Sequence, residues 1–289
     1  MTRSFAFLVN PAADGGAGPR AVVPVARLLR DAGADVDVTY SPGPEAGRAL
    51  AAEAVGRGAV VVACGGDGMV ASLAGAVVEA GGVLGIVPTG RGNDFARMLG
   101  IGGGPAGVAA TLLGAEPRAV DVIDVDGRVV VGSVYAGVDS LASAFVDRAH
   151  RLPRPVQYPY AAVRAVVAFR PLAYEVVVDG VPHRFEAETV VVANSGYYGS
   201  GMRIAPGAAV DDGALDVVVI GAMARRRLIR NLPRLYDGTH VRLSEVTVLR
   251  GREIRVAAAA SVPAYGDGER LGELPVVARV RPGALRLLA

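Results

Sequence analysis

The sequence contains no lysine and no tryptophan, and it has a single cysteine. Its 30 positively charged side chains are therefore all arginines. Because the phosphate loop of Walker-type kinases needs a lysine within Gly-x-x-x-x-Gly-Lys, that class of nucleotide-binding protein is excluded. Cys64 cannot form an internal disulfide and stands inside the apolar run Val60–Cys64, so we expect a buried structural thiol in a reducing cytoplasm.

Long hydrophobic runs and a strong charge imbalance are also missing. The longest apolar stretches, such as Thr189–Ala193, are far shorter than the roughly 20 residues of a membrane-spanning helix. No signal peptide is recognisable in the first residues. A formal net charge of +2 leaves no broad basic face for nucleic acid. We therefore expect a cytoplasmic protein that does not bind nucleic acid.

Basic residues nevertheless gather in two places. One cluster comprises Arg148, His150, Arg151 and Arg154, and the other comprises Arg225, Arg226, Arg227, Arg230 and Arg234. One interpretation is that both are solvated helix faces. The alternative is contact with anionic lipid headgroups, where each basic side chain contributes about 1 kcal/mol.

The pattern of apolar segments divides the chain of 289 residues into two parts. In the first part, strands such as Phe5–Val9 alternate with helices, which predicts right-handed crossovers and a parallel sheet. In the second part strands dominate, and the Asp-Gly pairs at Asp126 and Asp179 are typical of hairpin turns. The sequence therefore predicts an α/β domain with a parallel sheet over residues 1–118 and a mainly antiparallel β-sandwich over residues 119–282.

Four of the predicted strands in the second domain bear on the architecture. We expect unbroken strands over Val129–Tyr135 and Ser244–Val256. We expect two separate strands over Val276–Arg281 and Ala284–Leu288, because Pro282 and Gly283 lie between them.

Ligands of a parallel sheet bind beyond the carboxyl ends of its strands, where this sequence has three glycine-containing loops. They are Asn10–Gly18, Gly65–Gly68 and Pro88–Arg97. The glycines allow close approach of the backbone to a ligand, and the first N–H groups of a following helix are free to bind a phosphate.

A glycine turn that binds no ligand does not need the carboxylate of Asp67. A carboxylate repels a phosphate unless a cation lies between them, which suggests Mg2+. The alternative is that Asp67 only caps the helix of a tight turn. Asp94 brings a second carboxylate to the same edge. Arg91 has the reach and charge to meet a phosphate, although a loop arginine commonly lies in solvent.

Several groups of residues, in order along almost the whole chain, resemble the motifs of the diacylglycerol kinase catalytic domain family, which is shared with sphingosine kinases and bacterial lipid kinases. They are Asn10-Pro11 with its glycine loop, Gly65-Gly66-Asp67-Gly68, Pro88 to Arg97, Asn194-Ser195-Gly196 with Pro206, Asp212-Gly213-Ala214-Leu215-Asp216, and Asp267-Gly268-Glu269 followed by Pro282-Gly283-Ala284-Leu285. The resemblance implies an NAD kinase/diacylglycerol kinase-like fold in which the C-terminal tail, about 283–289, returns to the nucleotide-binding domain. It also implies transfer of the γ-phosphate of ATP to the hydroxyl of diacylglycerol or a similar lipid.

The resemblance further implies a set of residues in contact with ATP. They are Asn10, Pro11, Thr39, Gly65, Gly66, Asp67, Gly68, Met69, Val70, Ala71, Arg91, Asn93 and Asp94. A catalytic Mg2+ would be held through water by Asp67, Asp94 and Asp121. A second, structural Mg2+ would bind Asp212 together with the backbone carbonyls of Ala209 and Ala214, unless the Asp212 segment is simply a solvated turn.

Asp267-Gly268-Glu269, taken alone, is a hairpin turn. By resemblance it supplies the general base that receives the proton of the acceptor hydroxyl, and either Asp267 or Glu269 could be that base. A lipid acceptor also implies transient contact with a membrane surface and a cytoplasmic location peripheral to the membrane. A homodimer is compatible with the resemblance.

The chain departs from the family pattern near the second loop. Threonine usually follows Gly-Gly-Asp-Gly and an Asn-Glu pair stands shortly beyond, but here the residues are Met69, Ala71 and Ser72. Arg91 also replaces a threonine. We interpret this as a variant active site, because every aspartate needed for metal and base is present. Two alternatives are a kinase for a soluble acceptor, as in NAD kinases, and a non-catalytic nucleotide or lipid sensor, which the Met69–Ser72 segment favours.

Overall fold

The computed structural model describes residues 3–10, 17–90, 92–148 and 154–289. The chain divides into two compact units. The first comprises residues 1–122, Tyr197–Gly201 and Arg281–Ala289, and the second comprises Ile123–Gly196 and Met202–Val280.

The first unit alternates strands and helices. Its elements are β1 (Ser4–Val9), α1 (Ala17–Asp31), β2 (Asp35–Tyr40), α2 (Pro44–Gly56), β3 (Val60–Gly65), α3 (Asp67–Ala80), β4 (Leu84–Pro88), α4 (Asp94–Met98) and α5 (Gly104–Gly114), with the beginning of β5 (Pro117–Val125). The strands pair in parallel in the order β4-β3-β1-β2. Side chains such as Phe5, Phe7 and Leu29 are fully buried between sheet and helices, as the unbroken apolar runs of these strands require.

The second unit is mainly antiparallel. Its elements are the end of β5, then β6 (Arg128–Val130), β7 (Ser133–Gly137), α6 (Val138–Arg148), α7 (Arg154–Ala168), β8 (Leu172–Val178), β9 (Val181–Ala193), β10 (Leu215–Gly221), α8 (Arg225–Asn231), α9 (Arg234–Asp237), a 3-10 helix (Thr239–Arg242), β11 (Val246–Gly251), β12 (Glu253–Ala258), β13 (Pro263–Gly266), β14 (Glu269–Glu273) and most of the residues before 281 in β15 (Val276–Leu288). Every strand pair in this unit is antiparallel. The predicted fold class, a parallel α/β domain followed by an antiparallel β domain, is confirmed. Among the described helices, none is long and apolar enough to cross a membrane.

The C-terminal residues form one strand, and the prediction of two separate strands was wrong. β15 runs without interruption from Val276 to Leu288, although Gly283 within it has a left-handed backbone with φ 61°. Leu287 near its end pairs in parallel with Leu84 of β4. Glycine tolerates this backbone without strain, so the strand continues where the sequence suggested a break.

The two strands predicted as unbroken are each interrupted. A different aspartate explains each break. Between β6 and β7, the carboxylate of Asp267 accepts hydrogen bonds from three backbone N–H groups, those of residues 131, 132 and 133. Between β11 and β12, Oδ1 of Asp179 accepts from the N–H groups of Arg252 and Glu253, both at 2.8 Å. A side chain that accepts these bonds replaces the partner that a continuous sheet ladder would supply.

Asp179→Ala is expected to lower the free energy of unfolding at pH 7 by about 1 kcal/mol more than Asp126→Ala does. Asp126 is a matched control, since it is exposed and has nearly the same backbone, with φ 50° against 48°. The hydrogen bonds from Glu253 and Arg252 lower the pKa of Asp179 from 3.8. The stabilisation is therefore complete above pH 3.8 and is lost as the pH falls through the lowered value. Chemical denaturation between pH 7 and pH 3 measures it, and equal losses in both variants would contradict it.

Candidate active site

The carboxyl ends of the parallel strands meet at one edge of the first unit. Gly65 at the end of β3 is in register with Pro88 at the end of β4. The N–H of Asn10, directly after β1, donates to the carbonyl of Cys64 at 3.2 Å. Thr39 is half-buried and lies one residue before the end of β2. The loops that the sequence analysis singled out therefore begin side by side.

The second and third loops touch backbone to backbone. A Cβ at Gly90 would lie 2.6 Å from the Cα of Gly66, so no larger residue fits there without moving the loops apart. Asn93 fixes the third loop, because its Oδ1 accepts from the N–H of Gly90 at 2.9 Å and its Nδ2 donates to the carbonyl of Gly90 at 2.6 Å. The amide of Asn93 thus holds Gly90 in its position against Gly66.

Asp67 and Asp94 face the same small space. The position that a Cβ at Gly92 would occupy lies 2.9 Å from Oδ2 of Asp67 and 3.4 Å from Oδ2 of Asp94. Asp67 is the first residue of α3, and its Oδ1 accepts from the N–H of Phe95 at 3.2 Å. Burial raises the pKa of Asp94 above 3.8, and the negative charge of Asp67 raises it further. Two carboxylates held in this way form an electronegative site with oxygen ligands, which suits a hard cation or its water shell.

The segment Tyr197–Gly201 supplies the partners of Asp94, and the sequence analysis missed this role. Oδ2 of Asp94 accepts from the N–H of Ser200 at 2.8 Å, and Oδ1 accepts from the N–H of Gly201 at 2.7 Å. Both donors have left-handed backbone, with φ 70° and 99°. The run of glycines around Ser200 is a signal of irregular backbone, but nothing in it predicts which carboxylate the amides bind.

Thr89 is a second residue that the sequence analysis missed. It follows β4, and its backbone N–H donates to the carbonyl of Gly65 at 3.0 Å. Its side chain is buried, and its hydroxyl has no hydrogen-bond partner among the described residues. A buried hydroxyl without a partner costs about 1–3 kcal/mol, so Thr89 carries a penalty that a ligand or a bound water could relieve.

The remaining residues predicted to contact ATP fall into three groups. Gly68 is exposed, whereas Val70 and Ala71 are buried on the inner face of α3. Met69 packs over the second loop, since a Cβ at Gly65 would lie 3.0 Å from its Sδ. A thioether therefore lies over Gly65 at the end of β3. Pro11 and Arg91 lie outside the described residues.

Asp121 is buried on β5, and Oδ1 of its side chain accepts from the N–H of Gly283 at 2.8 Å. Asp121 therefore holds β15 at Gly283, the residue whose backbone is left-handed. Among the described residues, no three His, Cys, Asp or Glu side chains form a group that could hold a metal ion directly. Any role of Asp121 toward a metal at Asp67 and Asp94 would thus pass through water.

The turn that carries Asp267 and Glu269 lies in the second unit, between β13 and β14. The Asp267 carboxylate accepts from residue 131 at 2.7 Å, from residue 132 at 2.9 Å and from residue 133 at 3.2 Å. A Cβ at Gly132 would lie 2.6 Å from Oδ1 of Asp267, so the clamp also needs a glycine there. The side chain of Glu269 is exposed and makes no hydrogen bond or ion pair that involves another described residue. The two carboxylates of this turn are thus in different situations.

The Tyr265 side chain ties β13 to a helix just before this turn. Its hydroxyl donates to Oδ2 of Asp147 on α6 at 2.7 Å, and its ring stacks on Tyr135 of β7. Burial, followed by the bond to Asp147, raises the pKa of Tyr265 to about 12. Tyr265 therefore remains a neutral donor at physiological pH, and the strand that leads into Asp267 is held on both sides.

Asp212, the proposed ligand of a structural Mg2+, already has partners. Its carboxylate forms an ion pair with Arg250, and its Oδ1 accepts from the N–H of Ala214 at 3.1 Å. Burial raises the pKa of the neighbouring Asp216. A metal ion at Asp212 would have to displace the Arg250 guanidinium or share the carboxylate with it. The arrangement does not fit a metal site as it stands.

Two family models match the chain, one in each half. Residues 4–125 match the family described as the diacylglycerol kinase catalytic domain, and residues 132–289 match the YegS C-terminal NAD kinase beta sandwich-like domain. The chain is 31% identical to "Diacylglycerol kinase" of Mycobacterium tuberculosis over 97% of its own length and 93% of that relative. It is 29% identical to "Probable lipid kinase YegS-like" of Pseudomonas aeruginosa over 94% of its length and 90% of that relative.

The solved structures agree on the fold. A putative diacylglycerol kinase from Bacillus anthracis superposes with a TM-score of 0.77 over 99% of this chain and 94% of that one, at 19% sequence identity. The class is thus that of two-domain kinases with a parallel nucleotide-binding sheet and a β-sandwich. The chain belongs to the diacylglycerol kinase family, and it is a lipid kinase, for which ATP is the expected co-substrate.

Thr89→Val is expected to raise the free energy of unfolding of the ligand-free protein by about 1 kcal/mol, because it removes a buried hydroxyl that has no partner and keeps the shape of the side chain. It should also reduce the rise in melting temperature that Mg-ATP produces. Thr111→Val is the control, since the hydroxyl of Thr111 is satisfied at 3.1 Å by the carbonyl of Gly107. Thermal unfolding with and without Mg-ATP measures both effects. A destabilised Thr89→Val variant would contradict the prediction.

Proposed function

We propose that the protein is an ATP- and Mg2+-dependent kinase that transfers the γ-phosphate of ATP to the hydroxyl of diacylglycerol or a similar lipid, giving phosphatidic acid or an analogue. The observation that supports this most directly is the pair of carboxylates, Asp67 and Asp94, held at the carboxyl edge of the parallel sheet. The relatives named diacylglycerol kinase and lipid kinase support the class of acceptor. We propose a location in the cytoplasm, peripheral to the membrane.

The nucleotide would lie over the loops after β1, β3 and β4. Gly66, which is in close contact with Gly90, stands directly before α3. The backbone amides at the start of α3 therefore lie beside this contact, and the partial positive charge of the helix end attracts phosphate there. Asn10 and Thr39 lie at the same edge, and Thr89 offers a hydroxyl that is ready to donate. These residues bind and orient; none of them needs to react.

The residues present fit a hydrated divalent cation at Asp67 and Asp94. Burial and, to a smaller extent, the charge of Asp67 raise the pKa of Asp94, and a cation between the facing oxygens would remove the repulsion between the two carboxylates. When bound there, Mg2+ would offset the negative charge of the phosphates during transfer. Asp94 is held in place by the amides of Ser200 and Gly201, and Asp121 could contribute through water.

The base that accepts the proton of the lipid hydroxyl is, in this proposal, Glu269. Asp267 accepts hydrogen bonds from three backbone N–H groups. Asp179, in an Asp-Gly turn remote from the motifs of the family, likewise binds backbone N–H groups. A general base needs a lone pair that can reach the substrate. Glu269 is exposed and has that freedom, whereas Asp267 orients the turn that carries it.

The alternative of a sensor without turnover is favoured by one local feature. Met69 covers Gly65 with a thioether, and the hydroxyl of Ser72 is buried with no partner among the described residues. Neither residue supplies the polar contact that other members of the family have by resemblance. A kinase for a soluble acceptor would use the same architecture, since the second unit matches a domain described as NAD kinase beta sandwich-like.

Incubation with radiolabelled ATP, Mg2+ and mixed micelles that contain diacylglycerol, sphingoid bases and ceramide should give one labelled phospholipid. Glu269→Gln is expected to lower kcat by roughly 100-fold or more with little change in Mg-ATP binding, because it removes only the proton acceptor. Asp267→Asn should instead lower the melting temperature, since it weakens the clamp on residues 131–133. Asp67→Ala should abolish the label.

The outcomes separate the alternatives. Label in no lipid, together with saturable phosphorylation of NAD, would identify a kinase for a soluble acceptor. Mg-ATP binding by calorimetry without any product would identify a sensor. Full activity in Glu269→Gln would remove Glu269 as the base.

A further inference from the structure

The segment Arg225–Asp237 is a nearly continuous helix with one broad apolar face. Leu232 and Pro233, which lie between α8 and α9, keep helical backbone, with φ near −52° and −58°. Side chains three and seven residues apart therefore share a face across the whole segment.

The inner face of this segment is explained by the core of the second unit. Leu228 is buried, and together with Leu235 it lines a small cavity shared with Leu243 and Val246. This contact anchors the helices on the unit. It accounts for the side of the apolar face that points into the unit, and it does not account for the exposed side.

The solvent side of the same apolar face is exposed. Ile229, Leu232 and Tyr236, three and seven residues apart, are 54%, 39% and 57% exposed. Leu232 also lines the cavity beneath the helices, so Ile229 and Tyr236 are the most exposed of the three. Large apolar side chains at regular spacing on a solvent face are typical of a surface that binds something. We call these three residues, with the arginines around them, the α8–α9 surface.

The charge around the stripe is of one sign. Arg225, Arg226, Arg230 and Arg234 are all exposed. The one acidic side chain between residues 225 and 237 is Asp237, whose Oδ1 already accepts from the N–H and the hydroxyl of Thr239 at 2.8 and 2.7 Å. Two acidic side chains outside the segment also face its arginines, since Arg227 pairs with Glu245 at 2.8 Å and Arg225 interacts electrostatically with Glu188.

We propose that the α8–α9 surface docks on an anionic lipid bilayer, with Ile229, Leu232 and Tyr236 inserted at the headgroup level. An apolar stripe flanked by arginines is the pattern of a helix that lies in a membrane interface. The tyrosine ring, with one apolar and one polar end, suits that depth. The arginines face the negative surface potential of the lipids. The inference rests on the proposed function, because a lipid acceptor gives the protein a reason to visit a bilayer.

The test measures binding of the purified full chain, without ATP, to vesicles of equal parts phosphatidylglycerol and phosphatidylcholine and to vesicles of phosphatidylcholine alone. Arg226→Glu with Arg230→Glu should weaken binding to the anionic vesicles at least tenfold, since each arginine contributes roughly fivefold. Ile229→Ser with Tyr236→Ser should weaken it severalfold. All four side chains are exposed, so the variants should melt as the parent does.

Arg27→Glu with Arg48→Glu is the matched control. Both side chains are exposed on the first unit, and the pair changes the net charge by the same amount, from +2 to −2. At physiological salt the long-range effect of net charge is screened. The affinity of this control for anionic vesicles should then be within about twofold of that of the parent. An equal loss in the control would show that net charge, and not this surface, drives binding, and would overturn the proposal.

Three further results would also overturn it. They are a parent that does not bind anionic vesicles, an α8–α9 variant that binds as the parent does, and a dimer in sedimentation velocity that the Ile229→Ser, Tyr236→Ser variant loses while vesicle binding stays unchanged. Activity on detergent-dispersed lipid should be the same in all variants. Vesicle binding without lipid phosphorylation would keep the docking surface and refute the proposed function, so the two can fail separately.

Discussion

Two carboxylates of like charge, held against the same small space, are the constraint around which the first unit is arranged. Asp67 is fixed by its place at the start of α3 and by the N–H of Phe95, and Asp94 is fixed by the amides of Ser200 and Gly201. Glycine at position 92 is required, because any side chain would point between the two carboxylates. Repulsion alone would separate the pair, so the surrounding backbone maintains an arrangement that the proposed cation would stabilise.

Other carboxylates of the chain serve as clamps on the backbone. Asp179 and Asp267 both occupy Asp-Gly turns with left-handed backbone, and each binds the N–H groups at a break between two strands. Their similarity matters because Asp179 belongs to no motif of the family. The same geometry at Asp267 therefore needs no catalytic explanation. The neighbouring Glu269, which accepts no such bonds, is the carboxylate that we propose as the base.

The sequence predicted the fold class well, because the period of its apolar residues is set by local structure. Strand continuity was predicted less well. The breaks after Val130 and Gly251 depend on carboxylates that come from residues 267 and 179, far away along the chain. The points at which the loops begin, at Asn10, Gly65 and Pro88, were located correctly at one edge of the parallel sheet, since that follows from topology. The amides of Ser200 and Gly201 could not be predicted, because their partner lies about 106 residues earlier.

Buried polar atoms without a partner among the described residues occur in both units, and those of the first unit lie near the candidate site. The hydroxyls of Thr89 and Ser72 are buried without partners among the described residues, and Asp94 is buried beside a like charge. Because its pKa is raised in the folded state, Asp94 favours folding less as the pH rises from 3.8 through the raised value. A cation that offsets this charge relieves a cost that the free protein carries, and binding to the folded state alone adds stability. Binding of a cation at this site and the stability of the first unit would therefore be coupled.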